Sequence, residues 1–542
     1  MEKAWFKNYP KDSKTEVDTS RYQSLLDIFN QAIERYSNKT AYVSFGEEIS
    51  YSQVEQLSSD FGAYLQNKIG IKKGDRVAVM CPNTFSFVIS MWGIIRIGAV
   101  QVSINPLYSP HELEHQLNDA QVETIIIFSA STKILADIIE NTSVKNIIVV
   151  GLDDLINKGL PTEACDPRLE KAISFTDALN QGKDLTLAEP NLTQNDLLFL
   201  QYTGGTTGLS KGAMLSHGNL IANIMQYEEF AQHLIMKGEE TIITAIPMYH
   251  IFALSVNTLS YFSFGTKNVL IANPRDMVNF VKTWKNTKAT IFTGVNTLFN
   301  GLVHTPGFSE IDFSTLKLTV GGGAPVQEAV SEKWGSVTGK RLKEGYGLSE
   351  TSPVLSLNLG TETEYISGIG IPLPSTDISI RDDDENQVEQ GETGELCAKG
   401  PQVMQGYWNN PEATSESMTK DGYFKTGDIA MLDGKGFFHI VDRKKDMILV
   451  SGFNVYPNEI EAVVANMQGV LESACIGIED EKSGEAAKLF VVKSDHNIQE
   501  MDVINFCKEN LTAYKVPKQV VFIDELPKST VGKLLRRELR NY

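Results

Sequence analysis

Hydrophobic residues along this chain fall into short continuous runs, separated by amphipathic stretches of helical length. Eight runs have the length and composition of strands: RVAVM (76–80), VETIIIF (122–128), VKNIIVV (144–150), LLFLQYT (197–203), ETIITAIP (240–247), TKNVLIA (266–272), ATIFTGV (289–295) and LKLTVGG (316–322). Strands that are apolar on both faces are typical of parallel sheets covered by helices. The pattern therefore predicts an α/β fold.

The texture changes at about residue 366. Short strands with Gly, Pro and Asp turns then follow one another, which predicts a small antiparallel barrel or sandwich over 366–441. After DRKKD (442–446) helices and strands alternate again. Because 542 residues exceed what one core can organise, we expect an N-terminal domain over 1–441, with α/β subdomains at about 1–185 and 186–365 and a β-barrel at 366–441. A domain boundary at 442–446 and a small α+β domain at 447–542 complete the prediction.

Charge and cysteine content exclude several classes of protein. The formal net charge of −19 disfavours nucleic-acid binding. The five cysteines are scattered and form no CxxC pair, so no disulfide framework or zinc site is indicated and a reducing compartment is expected. The most apolar stretch, 85–104, carries Arg96 near its centre, which favours a buried helix running into a strand over a membrane span.

One glycine-rich loop, YTGGTTGLSKG (202–212), suggests phosphate chemistry. It follows an apolar strand and resembles the Walker loop, but two residues separate Gly208 from Lys211, and Gly212 follows the lysine. A Walker loop needs Lys directly after its last Gly and Ser or Thr directly after the Lys. The sequence of this loop therefore predicts a phosphate-binding loop that differs from the Walker type.

Five further stretches carry candidate chemistry: TVGGGAPV (319–326), LKEGYGLSETSP (342–353), PMYHIFAL (247–254), 424–461 around Asp428, and ELPKSTVGKLLRREL (525–539). The first two place glycines at the carboxyl edge of predicted strands, where open α/β sheets bind ligands. Taken singly, each has an ordinary alternative: a tight turn, a core histidine, a solvated charge run or a surface lysine.

Together, in this order, the stretches resemble the adenylate-forming superfamily of acyl-CoA synthetases, luciferases and peptide-synthetase adenylation domains, over about 20–540. They are most similar to its bacterial long-chain fatty acid CoA ligases, although Leu449 stands where several relatives carry Lys. The resemblance implies ATP-dependent conversion of long-chain fatty acids to acyl-CoA through an acyl-adenylate, with release of AMP and pyrophosphate. It also implies that the small C-terminal domain is mobile.

The same resemblance implies a set of ligand contacts. Phosphate contacts would come from Thr203, Gly204, Gly205, Thr206, Thr207, Gly208 and Lys211; adenine contacts from Gly323, Ala324, Glu344, Gly345 and Tyr346; an α-phosphate contact from Ser349; ribose contacts from Asp428 and Arg443; and Mg²⁺ ligands from Thr203 and Glu350.

The resemblance assigns the reaction itself to fewer residues. Lys533 would stabilise the pentacoordinate α-phosphorus, and His250 would orient or gate the carboxylate. Lys445 would be the hinge about which the C-terminal domain turns to admit coenzyme A, and Gly452 would line the pantetheine path.

Several alternatives stay open at this level. The substrate could be a medium-chain, aryl or amino-acid carboxylate, or the acyl group could pass to a carrier protein; a non-catalytic lipid-binding protein would be expected to lack Lys533 or Glu350. The apolar runs 251–264 and 294–303 either line an acyl tunnel or form core.

Location and assembly are open as well. We expect a cytoplasmic protein in weak contact with the inner face of a membrane. The aromatic residues Trp5, Phe6 and Tyr9 either lie at headgroup depth or pack on the main domain. A homodimer is a further expectation.

Overall fold

The computed structural model describes residues 3–203, 210–359, 366–451, 453–480, 482–495, 497–529 and 533–542. The strands of these residues, in chain order, are β1 Thr40–Ser44, β2 Glu47–Ser50, β3 Arg76–Met80, β4 Val100–Ser103, β5 Thr124–Phe128, β6 Asn146–Val150, β7 Ile173–Ser174, β8 Leu197–Tyr202, β9 Gly212–Ser216, β10 Thr241–Thr244, β11 Lys267–Leu270, β12 Ile291–Gly294, β13 Leu318–Gly322, β14 Lys343–Gly347, β15 Val354–Asn358, β16 Ile371–Pro372, β17 Asp377–Arg381, β18 Thr393–Lys399, β19 Phe424–Leu432, β20 Phe438–Arg443, β21 Ile448–Val450, β22 Phe453–Val455, β23 Val470–Asp480, β24 Gly484–Lys493 and β25 Gln519–Phe522.

The α-helices of the same residues are α1 Leu25–Tyr36, α2 Tyr51–Tyr64, α3 Phe85–Arg96, α4 Pro110–Asp119, α5 Thr132–Ile138, α6 Phe175–Gly182, α7 His217–Ala231, α8 Tyr261–Ser263, α9 Met277–Lys285, α10 Asn296–His304, α11 Glu328–Thr338, α12 Pro411–Glu416, α13 Pro457–Val464, α14 Glu500–Asn510 and α15 Arg536–Leu539. Serine caps begin α2, α4 and α7, where the hydroxyls of Ser50, Ser109 and Ser216 each accept a hydrogen bond from the backbone three residues on.

Two large sheets confirm the predicted α/β class. Within the described residues, one sheet has the strand order β7-β6-β5-β3-β4-β8-β9 and is parallel except for β9, and the other has the order β16-β15-β14-β13-β12-β10-β11-β1-β2 with a parallel centre. All eight runs predicted as strands contain strands of these sheets.

The two sheets are interleaved in sequence. Strands β1 and β2 come early in the chain but complete the second sheet, whereas β8 and β9 follow residue 186 and lie in the first. Aromatic rings from three helices pack where the two units meet: Phe29 lies 4.5 Å from Trp92 and 5.6 Å from Phe262 between ring centroids. The domain bounds given above stay a prediction.

The expected small barrel is instead an open sheet. In the described part of 366–441 and the residues next to it, β17, β18, β19 and β20 pair antiparallel in that order, and no pairing closes the two ends. The apolar residues Ile378, Leu396 and Phe438 of this sheet pack in one cluster with Leu355 and Leu357 of β15. The sheet therefore buries its apolar face against the large domain, which makes closure on itself unnecessary.

The C-terminal unit has its own sheet and core. Strands β22-β21-β24-β23 follow one another, β25 pairs parallel with β24, and α13 and α14 pack on this sheet. This arrangement confirms the predicted small α+β domain.

Helix α3 runs into β4, as predicted for the most apolar stretch. All twelve residues of α3 are buried, and Arg96 at its end bonds Glu189 Oε1 at 2.9 Å and the Glu55 carbonyl at 2.8 Å. Among the described residues, no helix is both long and apolar enough to cross a bilayer.

The N-terminal aromatic residues pack on the main domain, which was the second of the two alternatives. Trp5 is only 3% exposed and its ring lies 5.4 Å from that of Phe438. The Tyr9 hydroxyl donates to the Pro372 carbonyl at 2.8 Å. An anchor that inserts Trp5 into a membrane is therefore wrong for this structure.

Candidate active site

The candidate residues gather at the carboxyl ends of parallel strands, where the motifs were expected. Thr203 follows β8, His250 follows β10, Gly323 follows β13 and Ser349 follows β14. In an open α/β sheet this edge is the one that binds ligands, because the loops leaving neighbouring strands converge there.

The two ends of the phosphate-type loop are joined by a backbone hydrogen bond. The Thr203 amide donates to the Lys211 carbonyl at 3.0 Å, continuing the β8–β9 ladder. His115 on α4 contacts the loop from outside, with Nε2 3.0 Å from the Ser210 carbonyl. Lys211 is exposed, and its Nζ lies 5.3 Å from the ring centroid of Tyr407. The candidates Gly204, Gly205, Thr206, Thr207 and Gly208 lie outside the described residues.

The glycine-rich edge of β13 leaves an open surface. Gly323 has φ +78°, in the left-handed region that favours glycine, and both Gly323 and Ala324 are exposed. Gly345 on β14 pairs with Gly322 in parallel register. Of these small residues, Gly323 and Ala324 are the exposed ones, which a flat ligand can approach closely.

Glu344 lies buried beside this edge. Burial raises the pKa of its carboxyl to about 8, although the Val326 amide donates a hydrogen bond to it. The side chain is therefore a neutral acid over most of the physiological pH range.

Tyr346, Asp428 and Arg443 form a connected group. The Tyr346 hydroxyl donates to Asp428 Oδ2 at 2.6 Å, and Arg443 Nε lies 2.7 Å from Asp428 Oδ1. Asp428 and Arg443 are register partners on β19 and β20, so the sheet holds the ion pair in place. Burial raises the pKa of Asp428, and the Arg443 guanidinium opposes that rise.

Lys533 reaches this group from the C-terminal domain. A Cβ placed on Gly323 would lie 3.1 Å from Lys533 Cε, so the lysine stem crosses the glycine edge at contact distance. Burial and the Arg443 charge lower the pKa of Lys533 to about 8, while Asp428 and Glu350 act in the opposite direction.

The positive charge of Lys533 acts on His250. Burial, together with the nearby Lys533 charge, lowers the pKa of His250 to about 3. Its Nδ1 accepts a hydrogen bond from the Phe252 amide at 3.3 Å, which fixes the ring. His250 is therefore a neutral imidazole with Nε2 as the available proton donor.

Ser349 and Glu350 lie in one short turn, Ser349–Thr351, which packs against β8 and β9. Glu350 is 8% exposed, and its Oε1 accepts a hydrogen bond from the Tyr407 hydroxyl at 2.8 Å. The sequence analysis did not predict a role for Tyr407, which is marked only by the sequence Gly-Tyr-Trp between two polar stretches.

The Glu350 carboxylate fits a Mg²⁺ site with few protein ligands. No cluster of three or more His, Cys, Asp or Glu side chains that could hold a metal occurs in the described part of the chain. Mg²⁺ is bound in nucleotide sites through one or two carboxylates, waters and substrate phosphates, and does not need such a cluster.

Lys445 lies between two residues, Lys444 and Asp446, that form ion pairs with different domains. Lys444 Nζ contacts Asp383 at 2.7 Å and Glu395 at 3.2 Å in the main domain, whereas Asp446 contacts Arg540 at 3.3 Å in the C-terminal domain. The other candidate of this region, Gly452, lies outside the described residues.

The fold combines a large α/β domain with a small C-terminal domain, and comparison with known proteins gives the family of the chain. Residues 29–408 match the model of the AMP-binding enzyme family, and residues 459–533 match that of the AMP-binding enzyme C-terminal domain. The chain therefore belongs to the AMP-binding enzymes, which is the adenylate-forming family predicted from the motifs.

Relatives with assigned names match over almost their whole length. A protein named long-chain-fatty-acid–CoA ligase from Escherichia coli O6:H1 is 49% identical, over 100% of this chain and 98% of that protein. One of the same name from Bacillus subtilis is 36% identical, over 99% and 98%. A solved structure of ATP-bound MatB from Rhodopseudomonas palustris is 28% identical, with a TM-score of 0.82 over 96% of this chain and 98% of that one. The anthranilate CoA ligase AuaEII, solved with anthranoyl-AMP, has the same fold (TM-score 0.87, 24% identity, 97% and 98% covered).

Proposed function

We propose that this protein activates long-chain fatty acids to acyl-CoA with ATP, through an acyl-adenylate, and releases AMP and pyrophosphate. The supporting observation is the approach of Lys533, from the C-terminal domain, to Gly323, Asp428 and Glu350 of the large domain. Such a meeting of two domains over a glycine edge suits a reaction at the α-phosphorus of a bound nucleotide. The name shared by relatives up to 49% identical supports the choice of substrate.

The first half-reaction forms a bond between a carboxylate oxygen and the α-phosphorus and breaks the bond to pyrophosphate. Fatty acids, with pKa values of about 4.5 to 5, are already ionised at neutral pH, so no strong base is needed. A neutral His250 suits a role in orienting the carboxylate through Nε2–H. The ammonium of Lys533 would stabilise the charge that develops on the α-phosphate oxygens.

The nucleotide would lie along the carboxyl edge of β8, β13 and β14. Asp428, held by Arg443 and Tyr346, would accept hydrogen bonds from the ribose hydroxyls, because a carboxylate is a natural bidentate acceptor. The α-phosphate would contact Ser349. The other phosphates would contact Thr203, Gly204, Gly205, Thr206, Thr207, Gly208 and Lys211. The adenine would contact Gly323, Ala324, Glu344, Gly345 and Tyr346.

Mg²⁺ would be held by Glu350 together with Thr203 and the phosphates. When bound, it would neutralise phosphate charge in the transition state. The thioester-forming step would follow rotation of the C-terminal domain about Lys445, with Gly452 on the path of the pantetheine arm.

The acyl chain would extend from His250 along the apolar run 251–264. Residues 253–260 of this run are buried in a π-helical segment, and α10 in the second run buries Leu298, Phe299 and Leu302. Tunnel and core remain alternative roles for these residues.

A substrate panel tests the function. Pyrophosphate and acyl-CoA formation should be fastest with oleate, slower with octanoate and slowest with coumarate. Pyrophosphate release without any acyl-CoA would point to transfer to a carrier protein, and a preference for coumarate would contradict the long-chain assignment.

We also propose weak contact with the inner face of a membrane, because the substrate partitions into bilayers while ATP and coenzyme A are cytosolic. A homodimer stays a prediction, which sedimentation velocity tests.

A further inference from the structure

We propose that Tyr407 is a positioning residue for adenylation, which holds the Glu350 carboxylate in the orientation that binds Mg²⁺ and ties it to Lys211 of the phosphate loop. The inference deepens the proposed function and rests on it for the identity of the metal. What carries the inference is the set of contacts that the segment Met404–Trp408 makes with two separate parts of the site.

The backbone of this segment is hydrogen-bonded to β9, at the edge of the first large sheet. The Gln405 amide donates to the Met214 carbonyl at 2.9 Å, and the Met214 amide donates to the Gly406 carbonyl at 2.9 Å. The Trp408 amide donates to the Gly212 carbonyl at 2.8 Å. The segment therefore lies antiparallel beside β9, with an isolated β-bridge between Tyr407 and Ala213, next to the end of the loop at Lys211.

The same segment also holds the turn that carries Glu350. The Met404 amide donates to the Glu350 carbonyl at 2.8 Å, and the Tyr407 hydroxyl donates to Glu350 Oε1 at 2.8 Å. Backbone and side chain of Glu350 are thus both fixed by residues three positions apart. A carboxylate with one oxygen bound to a hydroxyl keeps its other oxygen free for a cation.

The ring of Tyr407 contacts a second group of the site, the ammonium of Lys211. Its centroid lies 5.3 Å from Lys211 Nζ, at the distance of a cation–π contact. The Tyr407 amide also donates to Thr414 Oγ1 at 2.9 Å, which fixes the residue from behind. Tyr407 therefore joins the phosphate-loop lysine to the metal carboxylate through a single rigid side chain.

Two substitutions separate these contacts. Tyr407→Phe removes the hydroxyl and keeps the ring beside Lys211, and Tyr407→Leu removes both. Tyr423, on the small open sheet, supplies a matched control. Its hydroxyl donates to Asp377 Oδ2 at 3.1 Å, and its ring centroid lies 4.4 Å from Arg381 Cζ. Tyr423→Phe therefore makes the same chemical change at a tyrosine with a similar environment.

Calorimetry of ATP binding, with and without Mg²⁺, measures the effect without turnover. We expect Tyr407→Phe to reduce the gain in ATP affinity on adding Mg²⁺ by about tenfold, the effect of losing one hydrogen bond to a charged group. ATP affinity without Mg²⁺ should be unchanged in Tyr407→Phe and lowered in Tyr407→Leu. Tyr423→Phe should match the wild type in both conditions.

A Mg²⁺ gain in Tyr407→Phe within twofold of the wild type would overturn the proposal, as would an equal loss in Tyr423→Phe or no Mg²⁺ gain in the wild type. If Tyr407→Leu fails to fold, Tyr407→Phe alone decides. Wild-type protein that binds MgATP but forms no acyl-adenylate from oleate would contradict the proposed function and leave the role of Tyr407 to be judged by calorimetry.

Discussion

At the scale of single residues, two buried carboxyl groups of the site differ in their partners. Asp428 has an ion pair with Arg443 at 2.7 Å and a tyrosine hydroxyl at 2.6 Å. Glu344 accepts a hydrogen bond from a backbone amide, no cation among the described residues acts on its carboxyl, and burial raises its pKa to about 8. Asp428 is thus equipped to act as an acceptor, and Glu344 behaves as an amide-like neutral group.

Glu344→Gln should make the protein more stable at pH 8 than the wild type. Above the ordinary glutamate pKa of 4.5 the unfolded chain loses this proton, whereas the folded protein keeps it up to about pH 8. The wild-type free energy of unfolding therefore falls across this window, by up to about 1.4 kcal/mol per pH unit, and glutamine removes the fall. Thermal melts at pH 5 and pH 8 measure it; a difference in Tm that does not change with pH would contradict it.

Lys533→Ala should abolish adenylation and spare thioester formation from supplied acyl-adenylate. The lysine lies over the glycine edge of the proposed adenylation site, and losing one transition-state charge contact costs about 3 kcal/mol or more. Pyrophosphate release and acyl-CoA formation are measured separately. Equal losses in both half-reactions would refute the assignment.

The pH dependence of the wild type follows from the same lysine. Because the pKa of Lys533 is lowered to about 8, its positive charge is present below pH 8 and is lost as pH rises through that value. We expect kcat/KM for ATP in adenylation to fall above about pH 8. Lys533→Arg, which stays charged, should lose this fall, and an unchanged profile in that variant would contradict the explanation.

At the scale of elements, the 3-10 turn Lys444–Asp446 links β20 to the C-terminal domain. Its first residue is bound to Asp383 and Glu395 of the main domain, and its last is bound to Arg536 and Arg540 of the C-terminal domain. Lys445 is exposed between them. A rotation that keeps these ion pairs would have to occur at the backbone of Lys445.

Lys445→Pro should trap one arrangement of the domains, because proline fixes φ near about −65°. We expect one half-reaction to survive while overall acyl-CoA synthesis collapses. Adenylation, thioester formation and the full reaction are assayed in parallel, with Lys444→Ala as a control that removes the ion pairs with Asp383 and Glu395 and leaves φ free. Rates near wild type in all three assays would exclude Lys445 as the pivot.

At the scale of the whole molecule, the net charge of −19 opposes adsorption to anionic lipid. Membrane contact should therefore be weak and stronger on neutral bilayers. The N-terminal aromatic residues contribute to stability, since Trp5 is buried against the small open sheet and the Tyr9 ring packs 5.4 Å from that of Phe230.

Deletion of residues 1–10 should lower the Tm by several degrees and leave liposome binding unchanged, because a buried tryptophan is worth about 3–5 kcal/mol. Flotation with neutral and anionic vesicles, in the presence of fatty acid and ATP, measures the binding. If the truncated protein no longer floated with vesicles but kept the Tm of the wild type, the N-terminal segment would be a membrane anchor after all. An intact protein that never floats would contradict membrane contact altogether.

Local sequence patterns predicted much of the fold and of the candidate site. Continuous apolar runs identified the central strands, because strands of parallel sheets must be apolar on both faces. Glycines directly after such strands predicted the edge where the candidate residues gather, and the family resemblance made Lys533 a candidate. Tyr407 escaped prediction because nothing local marks a tyrosine that bonds a carboxylate 57 residues away.

The sequence by itself determined the α/β class, the positions of eight strands of the two large sheets and the edge where the motifs meet, since each depends on the order of residues along a few turns or strands. Only the tertiary structure decided that the small sheet stays open, that β1–β2 and β8–β9 exchange between the two large sheets, and that Lys533 lies over Gly323. The physical reason is the same in each case. These features depend on which apolar faces and charged groups pack against each other across the whole chain, and that choice is made by the total burial and pairing of the fold.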